Sequence, residues 1–206
     1  MSQTHTIQFT CPSCNEAYDV TQYSLIDPNN NPEDRTRFLT GELFMTTCPH
    51  CQHQQLVAYQ SLYLDSEKKF AVHLREQNAP STVALLPDHI LREEYTLHAY
   101  IERVRILDAG LNDMAFELFR TVLLNQLRRQ YPDKQITMLR FQTIENDNLY
   151  LQIQGDEQIR VPYESYKTVE DKVKASGFDM ETAGYVHIDG QWVNQSGIIQ
   201  ALQNKK

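Results

Sequence analysis

Hydrophobic and polar residues alternate in two short stretches near the N-terminus, a pattern that predicts β-strands. Ile7 and Phe9 alternate with polar residues before one pair of cysteines, and Tyr18 and Val20 do so after it. The chain is therefore expected to run as a strand, a tight cysteine-containing turn and a second strand.

A single helix signal interrupts this β-rich region. Asn31 is a suitable N-cap, a proline and two acidic residues follow it, and Gly41 ends the predicted helix. Residues 56–64 predict one long strand, and residues 70–74 predict the strand that follows it. Residues 1–75 are thus expected to form a small β unit.

Helical spacing dominates the middle of the chain. A connector rich in proline precedes one predicted helix over residues 97–107 and another that begins after Asn112 and ends near residue 130. The second helix carries an apolar stripe made of Phe116, Phe119, Leu123 and Leu127. Residues 76–131 therefore predict a helical segment.

The last third, residues 132–206, predicts a β-meander followed by helices. The predicted strands are 136–144, 149–154 and 158–161, the predicted helix is 165–175, and further helical turns are expected at 198–202. Asp189-Gly190 is a typical two-residue hairpin turn. The predicted fold class is α+β, with an N-terminal zinc-ribbon-like β unit, a central two-helix segment and a C-terminal β-meander with helices.

Charge and composition narrow the classes of partner. The 206-residue chain has a formal net charge of −8, and residues 1–64 contain only two cations, Arg35 and Arg37, against six acidic residues. Because nucleic-acid affinity depends on Lys and Arg that neutralise phosphates, nucleic acid is an unlikely partner on this charge. The first ten residues do not resemble a signal peptide, and no apolar run is long enough for a membrane helix, so we expect a cytoplasmic protein without a membrane partner.

The four cysteines form two matched pairs, and they are the strongest chemical signal in the sequence. Cys11-Pro12-Ser13-Cys14 and Cys48-Pro49-His50-Cys51 each place two sulfurs on one tight turn. Two such turns complete the tetrahedral shell of four thiolates that is typical of a structural zinc site. The sequence therefore predicts one structural zinc ion, with Cys11, Cys14, Cys48 and Cys51 as its ligands. The 33 residues between the pairs exceed the usual spacing, and the predicted helix after Asn31 accounts for the excess as an insertion.

Thiol redox chemistry is the alternative interpretation of these cysteines. Cys48-Pro49-His50-Cys51 also matches the motif of oxidising thioredoxin-like enzymes, whose first thiol lies at a helix N-terminus. Here a predicted strand follows the motif, which favours zinc, although a reversible thiol or zinc switch stays open. His50 and His53 are expected to be surface residues rather than ligands, because four thiolates already complete the site.

The common catalytic motifs are missing from the sequence. There is no glycine-rich phosphate loop, no G-x-S-x-G and no H-E-x-x-H, and Glu93-Glu94 is expected on a solvated surface. No catalytic residues and no organic cofactor are predicted, although an activity stays open. A non-catalytic module that binds or assembles with an unknown protein partner is therefore the leading hypothesis. A nucleic-acid-associated ribbon and the redox or zinc switch are the alternatives.

The paired Cys-Pro-x-Cys motifs resemble the CpXC domain family of bacterial and archaeal proteins. The resemblance continues through residues 37–44, and Gly110-Leu111-Asn112-Asp113 with the nearby Glu117 is similar to a Gly-Leu-Asp-Asp segment of that family. Asn112 stands where the family has aspartate, a mild exchange at a helix N-cap. The resemblance covers residues 1 to about 130 and implies a metal site at the four cysteines. It implies no activity, because the family is functionally uncharacterised.

Overall fold

The computed structural model of this chain describes residues 1–79, 83–153 and 155–203. The chain forms two compact units: unit 1 comprises Met1–Val104 and Gly184–Val186, and unit 2 comprises Arg105–Ala183 and His187–Lys206. Both helices and sheets are present, so the predicted α+β class is confirmed. The predicted division of the chain into regions 1–75, 76–131 and 132–206 remains a prediction. Among the described residues, no helix has the length and apolar character needed to cross a bilayer.

Unit 1 contains a five-stranded sheet, a separate short hairpin and helices. Its elements are β1 (Gln3–Thr10), β2 (Ala17–Ile26), α1 (Pro32–Leu39), a 3₁₀ turn (Glu42–Phe44), β3 (Met45–Thr47), β4 (Gln54–Leu56), β5 (Ser61–Asp65), β6 (Phe70–Leu74), β7 (Ile90–Glu94) and α2 (Leu97–Asp108), which continues into unit 2. The strand order of the sheet is β1-β2-β5-β6-β7, and β3 pairs with β4 as the separate hairpin.

The β1–β2 hairpin extends beyond the rest of its sheet. β1 and β2 pair along their whole length, whereas only Leu25 and Ile26 of β2 pair with β5 in the described structure. We call residues 4–23 the arm, because over this stretch the two strands are paired mainly with each other. The first cysteine pair lies in the turn at the tip of the arm.

Aromatic side chains fill the core of unit 1. The Phe38 ring on α1 lies 4.7 Å from the ring of Tyr63 and 4.9 Å from that of Tyr100, measured between centroids. Phe44 and Phe70 extend the cluster at 5.9 Å from Phe38 and Tyr63, respectively. These five rings are at most 1% exposed. They form a core distinct from the small hydrophobic cluster around the cysteines.

Two glutamates that the sequence assigns to the surface lie inside unit 1. Glu94 is 1% exposed, and one of its carboxylate oxygens accepts a hydrogen bond from Arg103 Nε at 2.8 Å. Glu93 accepts from Arg75 Nε at 2.8 Å and from the Tyr95 hydroxyl at 2.7 Å. The prediction of a solvated position is therefore wrong. Both residues belong to β7, a strand that was not predicted and that pairs with β6.

The predicted long strand over residues 56–64 is broken in the structure. β4 ends at Leu56, where the Val57 N–H donates to the Phe44 carbonyl at 2.8 Å. The Tyr59 hydroxyl then donates to the Leu43 carbonyl at 2.9 Å. These bonds hold residues 57–60 against the 3₁₀ turn, and the chain enters the five-stranded sheet only at Ser61.

Unit 2 packs helices on one face of a three-stranded antiparallel sheet. Its elements are α3 (Asp113–Gln130), β8 (Arg140–Glu145), β9 (Asn148–Gln152), β10 (Gln158–Pro162), α4 (Tyr163–Ser176), α5 (Gly190–Gln195) and α6 (Ile198–Gln203). β9 lies between β8 and β10. The core joins Phe116 and Phe119 of α3 to Tyr166 of α4 and to Leu149 and Leu151 of β9.

Helix caps in unit 2 confirm one prediction and overturn another. The Asn112 side chain accepts from the Ala115 N–H at 2.9 Å, as an N-cap does. The hairpin predicted at Asp189-Gly190 is wrong, because Asp189 accepts from the Trp192 N–H at 2.8 Å and begins α5. The predicted first strand of the meander also begins later, at Arg140 rather than residue 136.

Candidate metal centre

The four cysteine sulfurs lie together between the tips of two hairpins. All four sulfurs lie within 4.8 Å of one another. The Cys11 and Cys51 sulfurs are 3.6 Å apart, and those of Cys14 and Cys48 are 3.7 Å apart. In a tetrahedral site with Zn–S bonds of about 2.3 Å, neighbouring sulfurs lie about 3.8 Å apart. All four cysteines are free thiols, and this donor set fits a tetrahedral metal ion.

Each cysteine pair lies on a turn with the same backbone conformation. In the first turn, the Asn15 N–H donates to the Cys11 carbonyl at 2.9 Å and the Cys11 N–H donates to the Glu16 carbonyl at 3.0 Å. In the second turn, the Gln52 N–H donates to the Cys48 carbonyl at 2.9 Å in the same way. Asn15 and Gln52 both have φ of 61°, in the left-handed region. Asparagine adopts this conformation more readily than glutamine, so Gln52 is the less suitable of the two residues.

Tyr18 connects the two hairpins beside the sulfurs. Its hydroxyl oxygen accepts hydrogen bonds from Thr46 Oγ1 at 3.4 Å and from Gln55 Nε2 at 3.3 Å. Thr46 and Gln55 are cross-strand partners on β3 and β4. The Tyr18 ring is 8% exposed and packs edge-on to Phe9 at 5.8 Å, so it fills the small core beside the sulfurs.

The hydrogen bonds of Tyr18 were missed by sequence reasoning. The available signal is that Thr46 and Gln55 flank the second cysteine pair on a hairpin, where antiparallel pairing brings the two together. The tyrosine itself lies four residues after Cys14. Nothing in the sequence specifies that its hydroxyl meets both side chains.

The thiols differ in acidity before any metal is considered. Burial acts to raise the pKa of Cys11, but backbone N–H groups of Cys14 and Ser13 and the neighbouring thiols lower that pKa to about 6. For Cys14, the hydrogen bond from the Glu16 backbone acts to lower the pKa, but burial and the other three sulfurs raise it to about 12. The site thus favours one thiolate and disfavours a second beside it. A divalent cation would offset this repulsion and favour thiolates throughout the site.

Access to the sulfurs is uneven. Cys11 and Cys48 are buried, Cys14 is half-buried and Cys51 is exposed. His50 and His53 are exposed, as predicted. Within the described ranges, the group of clustered metal-ligand side chains consists of the four cysteines and includes neither histidine.

The chain matches a known protein family. A model of the CpXC protein family matches residues 9–120, more than half of the chain, and this range contains both cysteine pairs and the Gly110–Asp113 segment. No curated protein and no solved structure is similar enough to be matched to the chain.

Proposed function

We propose that this chain, which belongs to the CpXC family, is a structural zinc protein with a non-catalytic binding or assembly role. Its two Cys-Pro-x-Cys turns place four free thiols together. The observation that carries this proposal is the pair of contacts between hairpins, 3.6 Å for Cys11 to Cys51 and 3.7 Å for Cys14 to Cys48. Both distances approach the edge of a tetrahedral four-sulfur zinc shell, about 3.8 Å.

The donor set favours zinc and a structural role. Thiolates are soft ligands, and four of them in a tetrahedron suit zinc. A closed shell leaves no coordination position for a substrate or an activated water, unlike the open shell of a catalytic zinc site. In this proposal the ion fastens the tip of the arm to the β3–β4 hairpin in the manner of a zinc ribbon, and the surfaces around it are available to a partner.

Metal content tests the proposal directly. Protein purified without chelator is measured by native and by denaturing mass spectrometry, and elemental analysis identifies the metal. We expect one zinc ion per chain, and we expect Cys14→Ser to reduce zinc retention after dialysis. His53→Ala is the matched control, because His53 is an exposed potential ligand two residues after Cys51, and it should keep one zinc. Metal-free protein with Cys11–Cys14 or Cys48–Cys51 disulfides would overturn the proposal in favour of thiol chemistry.

A redox-sensitive version of the site is the second candidate, and the exposure of Cys51 favours it. In this candidate, peroxide takes two electrons from a pair of thiolates, a disulfide forms, peroxide is reduced to water, and the zinc ion is released. A colorimetric zinc indicator during mild peroxide treatment, followed by thiol reductant, measures release and recovery. Protein that stays fully metallated under peroxide would exclude this candidate.

Charge supports a protein partner rather than a nucleic acid. Residues 1–64 carry two arginines and six acidic residues, and four thiolates would add further negative charge around one divalent ion. A gel-shift experiment at low salt checks this expectation, and binding to single- or double-stranded DNA or RNA would contradict it. Free thiols in paired motifs are typical of reducing compartments, which favours a cytoplasmic address.

A further inference from the structure

The sheet of unit 2 has a second face that the core does not use. Leu149 and Leu151 point into the core, so Asn148, Tyr150 and Gln152 point the other way. The strand register places three rows of three residues on this face. The rows are Pro162, Asn148 and Glu145; Arg160, Tyr150 and Thr143; and Gln158, Gln152 and Arg140. We call these nine residues the outer face.

The outer face combines a central aromatic ring with two arginines that have no ion-pair partner in the described structure. Arg160 is exposed and Arg140 is half-buried. Tyr150 lies between them on the middle strand and is half-buried, and its ring makes no aromatic contact with another described residue. Glu145 is the single acidic residue of the face and stands at its end, in the row farthest from Arg140.

Amide groups surround this centre. Gln142 is the extra residue where the β8–β9 register shifts, and its Nε2 donates to Gln152 Oε1 at 3.3 Å. Arg105 NH1 donates to Gln142 Oε1 at 3.3 Å, so Gln142 links Gln152 of the outer face to this arginine through two hydrogen bonds. The nine residues of the face are mostly polar and carry two positive charges and one negative charge, within a chain whose net charge is −8.

The positions of the two arginines define a spacing. Arg160 and Arg140 are separated by two strands and one row, which places their Cα atoms about 12 Å apart, with Tyr150 and Gln152 on the strand between them. An extended peptide rises about 3.3 Å per residue, so side chains four positions apart are separated by about 13 Å and point to the same side. The residue halfway between them also points to that side. Carboxylates at positions i and i+4 would meet the two guanidiniums, and an aromatic residue at i+2 would lie over Tyr150.

We propose that the outer face binds an extended acidic segment of a partner protein, with two carboxylate side chains four residues apart and an aromatic side chain between them. This inference names the partner class of the binding role proposed above and rests on that role. Planar guanidiniums match carboxylates in a bidentate manner. A nucleic acid is the poorer fit, because phosphate binding depends on many cationic contacts and the chain as a whole is acidic.

Peptides of defined sequence test the proposal on the full-length, metal-loaded chain. The probe is acetyl-Ser-Glu-Ser-Phe-Ser-Glu-Ser-amide, and the control peptide, acetyl-Ser-Glu-Glu-Phe-Ser-Ser-Ser-amide, has the same composition with the wrong spacing. A twelve-nucleotide oligothymidine is the third probe. Each is titrated into ¹⁵N-labelled protein, and amide shifts of residues 140–162 are followed, with zinc content measured on the same sample.

The variant Arg140→Gln/Arg160→Gln is compared with Arg129→Gln/Lys172→Gln, which removes the same charge from two exposed positions elsewhere in unit 2. We expect the first variant to weaken the probe peptide about fivefold or more, since each exposed ion pair contributes a factor of roughly two to five. The control variant should leave the affinity within about twofold, because long-range attraction is screened by salt. The control peptide should bind more weakly than the probe.

Three results would overturn the inference. They are no shifts at the outer face, equal weakening by both double variants, or tighter binding of oligothymidine than of the peptide. Zinc content separates this failure from that of the proposed function. A sample that holds one zinc ion but ignores the peptide removes only the acidic-segment site, whereas a metal-free sample contradicts the structural zinc proposal whatever the peptide does.

Discussion

Removal of the metal should unfold the arm while the rest of unit 1 stays folded. The arm, residues 4–23, pairs mainly with itself, and only Leu25 and Ile26 connect β2 to β5 in the described structure. The perturbation is a strong chelator added to the wild-type protein, with Cys11→Ser as a second and independent route to the same state.

The magnitude follows from the few side chains that the arm buries. Ordering about 20 residues costs at least about 20 kcal/mol of backbone entropy. The buried side chains of Tyr18 and Val20 return about 4 kcal/mol. About seven strand hydrogen bonds add a net 7 kcal/mol or so. The deficit of about 9 kcal/mol is close to the lower end of the binding free energy of structural zinc, about 10–16 kcal/mol.

Hydrogen exchange measured by mass spectrometry checks this prediction. Without metal, amides of residues 4–23 should exchange at nearly the rate of an unfolded chain, whereas amides of β6 in the same unit should keep their protection. Restoring zinc to chelated wild-type protein should restore protection, which distinguishes metal loss from misfolding of the variant. Equal protection of the arm with and without metal would refute the reasoning.

Three further predictions concern groups away from the cysteines, and urea unfolding followed by circular dichroism measures each of them. Glu94→Gln should destabilise the protein by about 3 kcal/mol, because it removes the charge-assisted hydrogen bond between buried Glu94 and Arg103 Nε. Equal stability of this variant and the wild type would contradict the prediction. Asn112→Ala should lower the free energy of unfolding by about 1 kcal/mol through loss of the N-cap bond. Asn125→Ala, at an exposed position of the same helix, should leave it unchanged. Equal effects of the two substitutions would show that the cap is unimportant. Burial lowers the pKa of His73 in the folded state, so near the ordinary pKa of 6.5 the unfolded chain binds more protons than the folded chain, and stability should fall as pH drops from 7 through that value. His73→Gln should flatten this part of the pH dependence of stability. An unchanged slope would refute the assignment.

The cysteine turns were predictable because their determinants are local. A proline inside each four-residue motif and a residue that adopts φ of 61° just after it specify the turn without help from the rest of the chain. Alternation at Ile7, Phe9, Tyr18 and Val20 likewise predicts which side chains join the cluster around the sulfurs. Predicting that two turns 33 residues apart meet required chemical reasoning about four thiolates, and the structure brings their sulfurs together.

Other features depend on long-range contacts or on signals with two meanings. Two adjacent glutamates are typical of a surface segment. The burial of Glu94 depends on Arg103, nine residues beyond it, whose Nε donates to the Glu94 carboxylate. Asp189-Gly190 suits a hairpin turn and a helix N-cap equally well. Burial of Val193 against the core of unit 2 accompanies the helical outcome, and no local pattern specifies that burial. The break at residues 57–60 depends on bonds to the 3₁₀ turn, which local alternation does not report.

The placement of the cysteines also has a consequence for the speed of folding. The 33 residues between Cys14 and Cys48 include Phe38 and Phe44, two rings of the aromatic core. Closing a flexible segment of that length costs about 3 kcal/mol of chain entropy. A metal ion that binds the four sulfurs early in folding closes this segment before the aromatic rings meet. It also keeps Phe38 and Phe44 close to Tyr63. In the proposed structural zinc site, the ion would thus shorten the search for the aromatic core as well as hold the arm, and refolding of unit 1 is expected to be faster when zinc is present from the start.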